Sequence, residues 1–142
     1  VLSYYDDWFV KANTIVVGRV GQYCGNIHLT DSKSWVTDNA IVVRLDSDKV
    51  DPYYLSEALR RANLKRFASR SAQPRISQSV IETLPIPIPK KEYQQKISDI
   101  LSTIDKEVEQ DRETKQSLQE LKRGLMQDLL TGKVRVPVDT DD

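Results

Sequence analysis

Cysteine and histidine are almost missing from this sequence, with one of each in 142 residues. A lone cysteine, Cys24, excludes an internal disulfide framework and makes a reducing cytoplasm the simplest setting. Cys24 and His28 stand four apart, as metal ligands can, but no second cysteine or histidine completes a set, so no metal centre is expected. Long apolar runs are missing too. No stretch approaches the roughly 20 residues of a membrane span, and Asp6 and Asp7 stand where a signal peptide needs basic and apolar residues. Net charge is absent as well: 21 lysines and arginines balance 21 aspartates and glutamates, which argues against a polycation that coats nucleic acid. The glycines Gly18, Gly21 and Gly25 do not follow a nucleotide-binding spacing, and no helix pattern succeeds them. They read as the connection of a hairpin. No nucleophile or acid–base constellation points to a stand-alone enzyme.

What is present divides at Leu84-Pro85-Ile86-Pro87-Ile88-Pro89. Three prolines two apart cannot sit in a helix or a central strand, because each lacks an N–H and fixes φ. They hold the chain extended, with Leu84, Ile86 and Ile88 on one side. Before them, aromatics at Tyr4, Tyr5, Trp8 and Phe9 are expected to cap a core. β-branched runs at 15–20, 26–29 and 39–45 read as strands. Asp51 and Pro52 supply an N-cap and a first helical residue. Apolar spacing then predicts an amphipathic helix from Tyr53 to about Phe67. Its other face carries Arg60, Arg61, Lys65 and Arg66. The segment 68–77 alternates arginine, serine and glutamine, side chains that contact phosphates and base edges, although a plain linker would look similar. Ser77 is placed to cap a short helix over 78–83.

Behind the prolines, the pattern predicts a single helix from Glu92 to Leu130. Ile97, Leu101, Ile104 and Val108 form a heptad seam that resumes at Leu118, Leu121, Leu125 and Leu129. So long an apolar stripe calls for another helix. Asp111 and Lys115 interrupt it. In a parallel pair each would face its own kind, whereas an antiparallel pair brings Asp111 near Lys115, so an antiparallel partner is favoured over packing on an unrelated neighbour. Gly132 is expected in the C-cap region, followed by a short strand with Lys133 and Arg135 and an acidic tail. The fold class is therefore α+β: a small mixed domain over 1–89, a spacer or coiled-coil helix over 90–132, and a short strand and tail over 133–142.

Several of these segments together resemble a known family. Leu84-Pro-Ile-Pro-Ile-Pro89, Gln94-x-x-Ile97 and Gly124-Leu-Met-Gln-Asp-Leu-Leu-Thr-Gly-Lys-Val-Arg135 look like the specificity subunit of type I restriction-modification systems. Gly18-Arg-Val-Gly21 and Gln73-Pro-Arg-Ile-Ser77 are similar to its target recognition domain. Lys90, Lys91 and Tyr93 depart from the proline, leucine and glutamate that usually precede the glutamine. A full subunit carries two recognition domains and two helical regions, and one of each is visible here. With Val1 in place of an initiating Met, the sequence reads as a C-terminal half or a half-subunit.

The resemblance implies a non-catalytic reader of one half of a bipartite double-stranded DNA target. It implies partners as well: modification subunits holding S-adenosylmethionine, restriction subunits using ATP and Mg, and a second copy or pseudo-copy through the helix. No cofactor is expected in this chain, and no membrane. Arg19, Gln22, Tyr23, Lys33, Arg60, Arg61, Lys65, Arg66, Arg70, Gln73 and Arg75 are the candidate DNA contacts. The cations of the helix would hold phosphates, with Gln22, Tyr23, Arg70 and Gln73 nearer the bases. The alternative is a coiled-coil adaptor whose basic patch is only a solvated face.

Overall fold

The computed structural model describes residues 10–137, so the aromatic segment expected to cap the core and the acidic tail lie outside the described residues. The fold is α+β. Three strands, β1 (Ile15–Gly18), β2 (Ile27–Leu29) and β3 (Ala40–Val43), form an antiparallel sheet in the order β2-β1-β3. β1 pairs Val16 with His28 on one side and with Val42 on the other. Alternation along β1 buries Ile15 and Val17, which meet Leu59, Leu64 and Ile76 in the core. The helices are α1 (Pro52–Ala62), α2 (Gln78–Glu82) and α3 (Lys91–Leu130). The chain divides into two compact units, Val1–Asp99 and Ile100–Asp142. The first turns of α3 belong to the first unit, because Gln94 and Ser98 are buried there.

Most strand limits are tighter than the β-branched runs suggest. β1 stops at Gly18, and Val20 forms an isolated bridge with Arg75 instead. The capping of α1 follows its sequence: Asp51 Oδ1 accepts from Tyr54 N at 2.8 Å with Pro52 in the first helical position. The helix does not continue to Phe67. It ends at Ala62 with Asn63 left-handed at φ 50°, and a separate 3-10 turn, Leu64–Phe67, follows. Asparagine tolerates this conformation, and the break lets Leu64 turn into the core at 1% exposure.

Three further expectations are corrected. Ser77 precedes α2 but makes no side-chain cap; its hydroxyl meets that of Ser79 at 2.8 Å. Ile88 is exposed, and only Leu84 and Ile86 of the proline segment pack on the core. Among the described residues no strand forms after Gly132, where Lys133 pairs with Asp128 at 3.1 Å. The C-cap itself is glycine-based, with Gly132 at φ 73° and its N–H donating to Leu129 O at 3.2 Å.

A buried polar cluster ties the proline segment and the start of α3 to the sheet unit. Tyr54 donates its hydroxyl to Pro87 O at 2.8 Å. Gln94 Oε1 accepts from Asp51 N at 2.8 Å, while its Nε2 donates to Lys49 O at 3.0 Å and Pro89 O at 2.7 Å. Ser98 donates to the same Asp51 Oδ1 that caps α1, at 2.6 Å. The proline carbonyls, which a ladder would otherwise satisfy, thus find side-chain donors. The sequence presented Gln94 only as part of a motif; its role is visible through these three bonds.

Candidate nucleic-acid interface

Three short segments, two of them neighbours in sequence, meet beside the sheet. The first is the 3-10 turn Gly21–Tyr23 between β1 and β2. Gly18 makes it possible: an added Cβ would lie 2.0 Å from Tyr23 O. The second is the loop over 69–75, which is closed on itself. Ser69 N donates to Arg75 O and Arg75 N to Ser69 Oγ, both at 3.0 Å, and Ser71 donates to Gln73 O at 2.7 Å. It is also sewn to the first segment, since Gly21 N donates to Pro74 O and Ile76 N to Arg19 O, both at 2.9 Å. These bonds make 68–77 a held loop rather than a slack linker. The third is the 3-10 turn Leu64–Phe67, whose backbone comes against Gly25. A Cβ there would lie 2.7 Å from Lys65 N.

Two depressions adjoin here, one between these segments and one against the start of β2 and the end of α1. Gln22, Lys65, Ser69 and Arg70 are among the residues around a groove of about 510 Å³. Asn26, Arg60, Asn63 and Lys65 border a smaller cleft of about 300 Å³. Lys65 belongs to both and makes no ion pair among the described residues. Arg60 is paired with Glu57 one turn back. The structure therefore brings Gln22, Lys65 and Arg70 around one groove, and Arg60 and Lys65 around the adjoining cleft. Tyr23 projects from the same turn at 68% exposure, and Gln73 and Arg75 are exposed on the same loop as Arg70.

The remaining candidates sit elsewhere or apart. Arg19 lines a different cavity of about 750 Å³, together with Asp38, Ser77, Gln78, Glu82 and the β3 edge. Lys33 is exposed in the loop beside Ser34, which bridges Val10. Arg61 is exposed on the last turn of α1, and Arg66 lies over the Phe67 ring at 4.6 Å. Lys65 and Arg66 are carried by the 3-10 turn, not by the helix. Sequence reasoning passed over Asn26 and Asn63. Asn63 did carry a signal, an asparagine just where the helical apolar spacing lapses.

Cys24 lies under the groove at 3% exposure and donates its thiol to Arg19 O at 3.4 Å. Burial pushes its pKa above the ordinary thiol value, and nearby Lys65 offsets this only in part. Since the folded pKa is the raised one, the contribution to stability is complete below the unfolded thiol's value and is lost as pH rises through the folded one. Folded protein at pH 8 should therefore react with iodoacetamide far more slowly than urea-unfolded protein, and unfolding midpoints should fall above pH about 8.5. Equal alkylation rates would show that the thiol is open to solvent. No group of three metal-ligating side chains occurs among the described residues.

In α3 the seam residues Ile97, Leu101, Ile104, Val108, Leu118, Leu121, Leu125 and Leu129 are all exposed, at 38–60%. The helix has 40 residues and is ~60 Å long. No helix among the described residues is long and apolar enough to cross a membrane.

Comparison with known proteins gives this arrangement a context. Residues 1–122 match the family model described as the type I restriction modification DNA specificity domain. The chain belongs to that family. Over 91 residues it is 30% identical to the type I restriction enzyme EcoprrI specificity subunit of Escherichia coli, matching 64% of this chain and 22% of that protein. The MjaVIII specificity subunit of Methanocaldococcus jannaschii is 33% identical over 94 residues, 63% of this chain and 22% of that protein. Among solved structures, the S subunit of a type I restriction-modification system from M. genitalium superposes with a TM-score of 0.64 at 26% identity. That match covers 87% of this chain and 33% of the other. The chain thus spans about a fifth of the length of the curated relatives it matches.

Proposed function

We propose that this chain reads one half of a bipartite double-stranded DNA target for a type I restriction-modification complex. The observation that carries the reading is the groove holding Gln22, Lys65 and Arg70 on hydrogen-bonded turns, in a chain of the DNA specificity family. Glutamine and arginine can each form paired hydrogen bonds with a base edge in the major groove. The cations Arg60, Arg61, Lys65 and Arg66 would hold phosphates and set register, and Tyr23 would meet the bases from the tip of its turn. Residues 1–89 are the reading domain, 90–132 the spacer helix and 133–142 the tail.

On this reading the chain is a targeting protein and not a catalyst. Adenine methylation with S-adenosylmethionine, and ATP- and Mg-dependent cleavage, belong to the modification and restriction subunits that dock on it in the cytoplasm. The exposed seam of α3 takes a second such helix, antiparallel, because that arrangement sets Asp111 of one copy near Lys115 of the other.

The test is a duplex titration of the chain with and without a modification subunit, with native mass read alongside. Replacing both Arg70 and Arg75 with alanine should lower affinity by roughly 1–3 kcal/mol for each of the two side chains that meets a base specifically. Unchanged affinity together with unchanged salt dependence would remove the 69–75 loop from the interface. The exposed apolar seam also suits an adaptor that only pairs helices. A dimer with no DNA affinity in either setting would establish that reading instead.

A further inference from the structure

The smaller cleft has a composition that the base-reading groove lacks. Two carboxamides, Asn26 and Asn63, line a space bordered by Arg60 and by Lys65, which also lines the groove of Gln22 and Arg70. We propose that this cleft is a phosphate subsite, holding a backbone phosphate of the DNA while the neighbouring groove meets base edges. This inference rests on the chain being a DNA reader.

Local structure supports the division. Gly25, at φ 79° and with room for no side chain, lets the backbone of Leu64 and Lys65 descend beside Asn26. Asn63 turns the chain at φ 50° between α1 and the 3-10 turn, so its amide leaves the chain at the junction of Arg60 and Lys65. The arginine's charge is partly met by Glu57, which leaves Lys65 as the attracting cation. Amide N–H groups then suit the phosphate's outer oxygens without adding charge. Because a phosphate looks alike at every step, the cleft should contribute affinity and register but no preference among bases.

The experiment uses the chain bound to a modification subunit and two probes: a 30-bp duplex of random sequence and a duplex selected from such a pool by repeated binding. Asn26→Ala and Asn63→Gly should each weaken both probes by the same factor, about three- to tenfold, without altering the sequences selected. Glycine adopts the left-handed φ of Asn63 freely, so Asn63→Gly keeps the turn while removing the amide. Asn63→Asp keeps the side chain's shape and should weaken binding further, most strongly at low salt, where an added carboxylate repels phosphate least screened. Lys65→Gln should reduce the slope of log affinity against log salt by about one. Unfolding midpoints report whether each variant is folded. Variants that are folded and bind both probes like the parent overturn the subsite. So does a variant that changes the selected sequences, which would make the cleft a base reader. If the parent binds neither probe, the DNA-reading proposal itself fails, and that outcome is distinct from loss of the cleft alone.

Discussion

Replacing Gln94 with leucine should remove much of the stability of the first unit. The side chain is wholly buried and bonds three backbone groups, Asp51 N, Lys49 O and Pro89 O, at 2.7–3.0 Å. Leucine fills a similar space but satisfies none of them. Each buried polar group left without a partner costs roughly 1–3 kcal/mol. If water reaches one of the three, the loss is still about 2–6 kcal/mol, a large share of the 5–15 kcal/mol typical of a domain. Urea unfolding followed by tryptophan fluorescence should show the midpoint falling sharply, and hydrogen exchange should rise first around residues 49–51 and the start of α3. Gln94→Glu sharpens the test, because an ionised carboxylate cannot donate to Lys49 O or Pro89 O. Its deficit should be largest at neutral pH and shrink on acidification, when the protonated acid regains one donor. A midpoint unchanged in both variants would mean that the cluster contributes little.

Gly18→Ala should be nearly as damaging, for a steric reason. The new methyl would stand 2.0 Å from Tyr23 O and 2.8 Å from Tyr23 C. Both are backbone atoms, so no side-chain rotation relieves the overlap. Gly18 is also bonded at both ends, donating to Asn26 O at 2.9 Å and accepting from Gly25 N at 2.8 Å. Something must therefore yield, and the overlap falls on the turn that carries Gln22 and Tyr23. Overpacking of this kind costs about 1–3 kcal/mol or more. The comparison is Gly21→Ala, where open space surrounds the added carbon and only the positive φ of 73° is penalised, at roughly 1–2 kcal/mol. Gly18→Ala should lower the unfolding midpoint more than Gly21→Ala does, and in duplex titrations it should weaken discrimination among sequences. Equal effects of the two substitutions would show that the Gly18 contact is not tight in solution.

The elements that sequence placed well are those governed by neighbours in the chain. Asp51 and Pro52 begin α1 because a side-chain oxygen and a fixed φ suffice to start a helix. α3 starts at Lys91, one residue before the expected Glu92, and ends at Leu130 as its period requires. The misplaced features depended on what lies across the fold. The apolar spacing ends at Ala62, and the helix expected to run on to about Phe67 stops there because burying Leu64 requires the chain to turn at Asn63. Ser77 had the right chemistry for a cap, yet its hydroxyl found Ser79. Ile88 alternates with Leu84 and Ile86 in sequence, but the core surface ends before reaching it.

By itself, then, the sequence determined the α+β class, the long amphipathic helix and the types of side chain offered to a partner, whereas the division into units falls at Asp99 and not at the prolines. These follow from periodicity and from backbone restrictions that act over a few residues. Only the tertiary structure decided which of those side chains share a surface. Gln22, Lys65 and Arg70 meet because Gly18 and Gly25 allow backbones to approach and because the 69–75 loop and Ile76 behind it are hydrogen-bonded to Gly21 and Arg19, just after β1. Arg19 and Lys33, equally basic in sequence, are turned elsewhere by the same packing. Meetings between segments so far apart in sequence leave no periodic trace in the chain; close packing and the pairing of buried polar groups set them once it has folded.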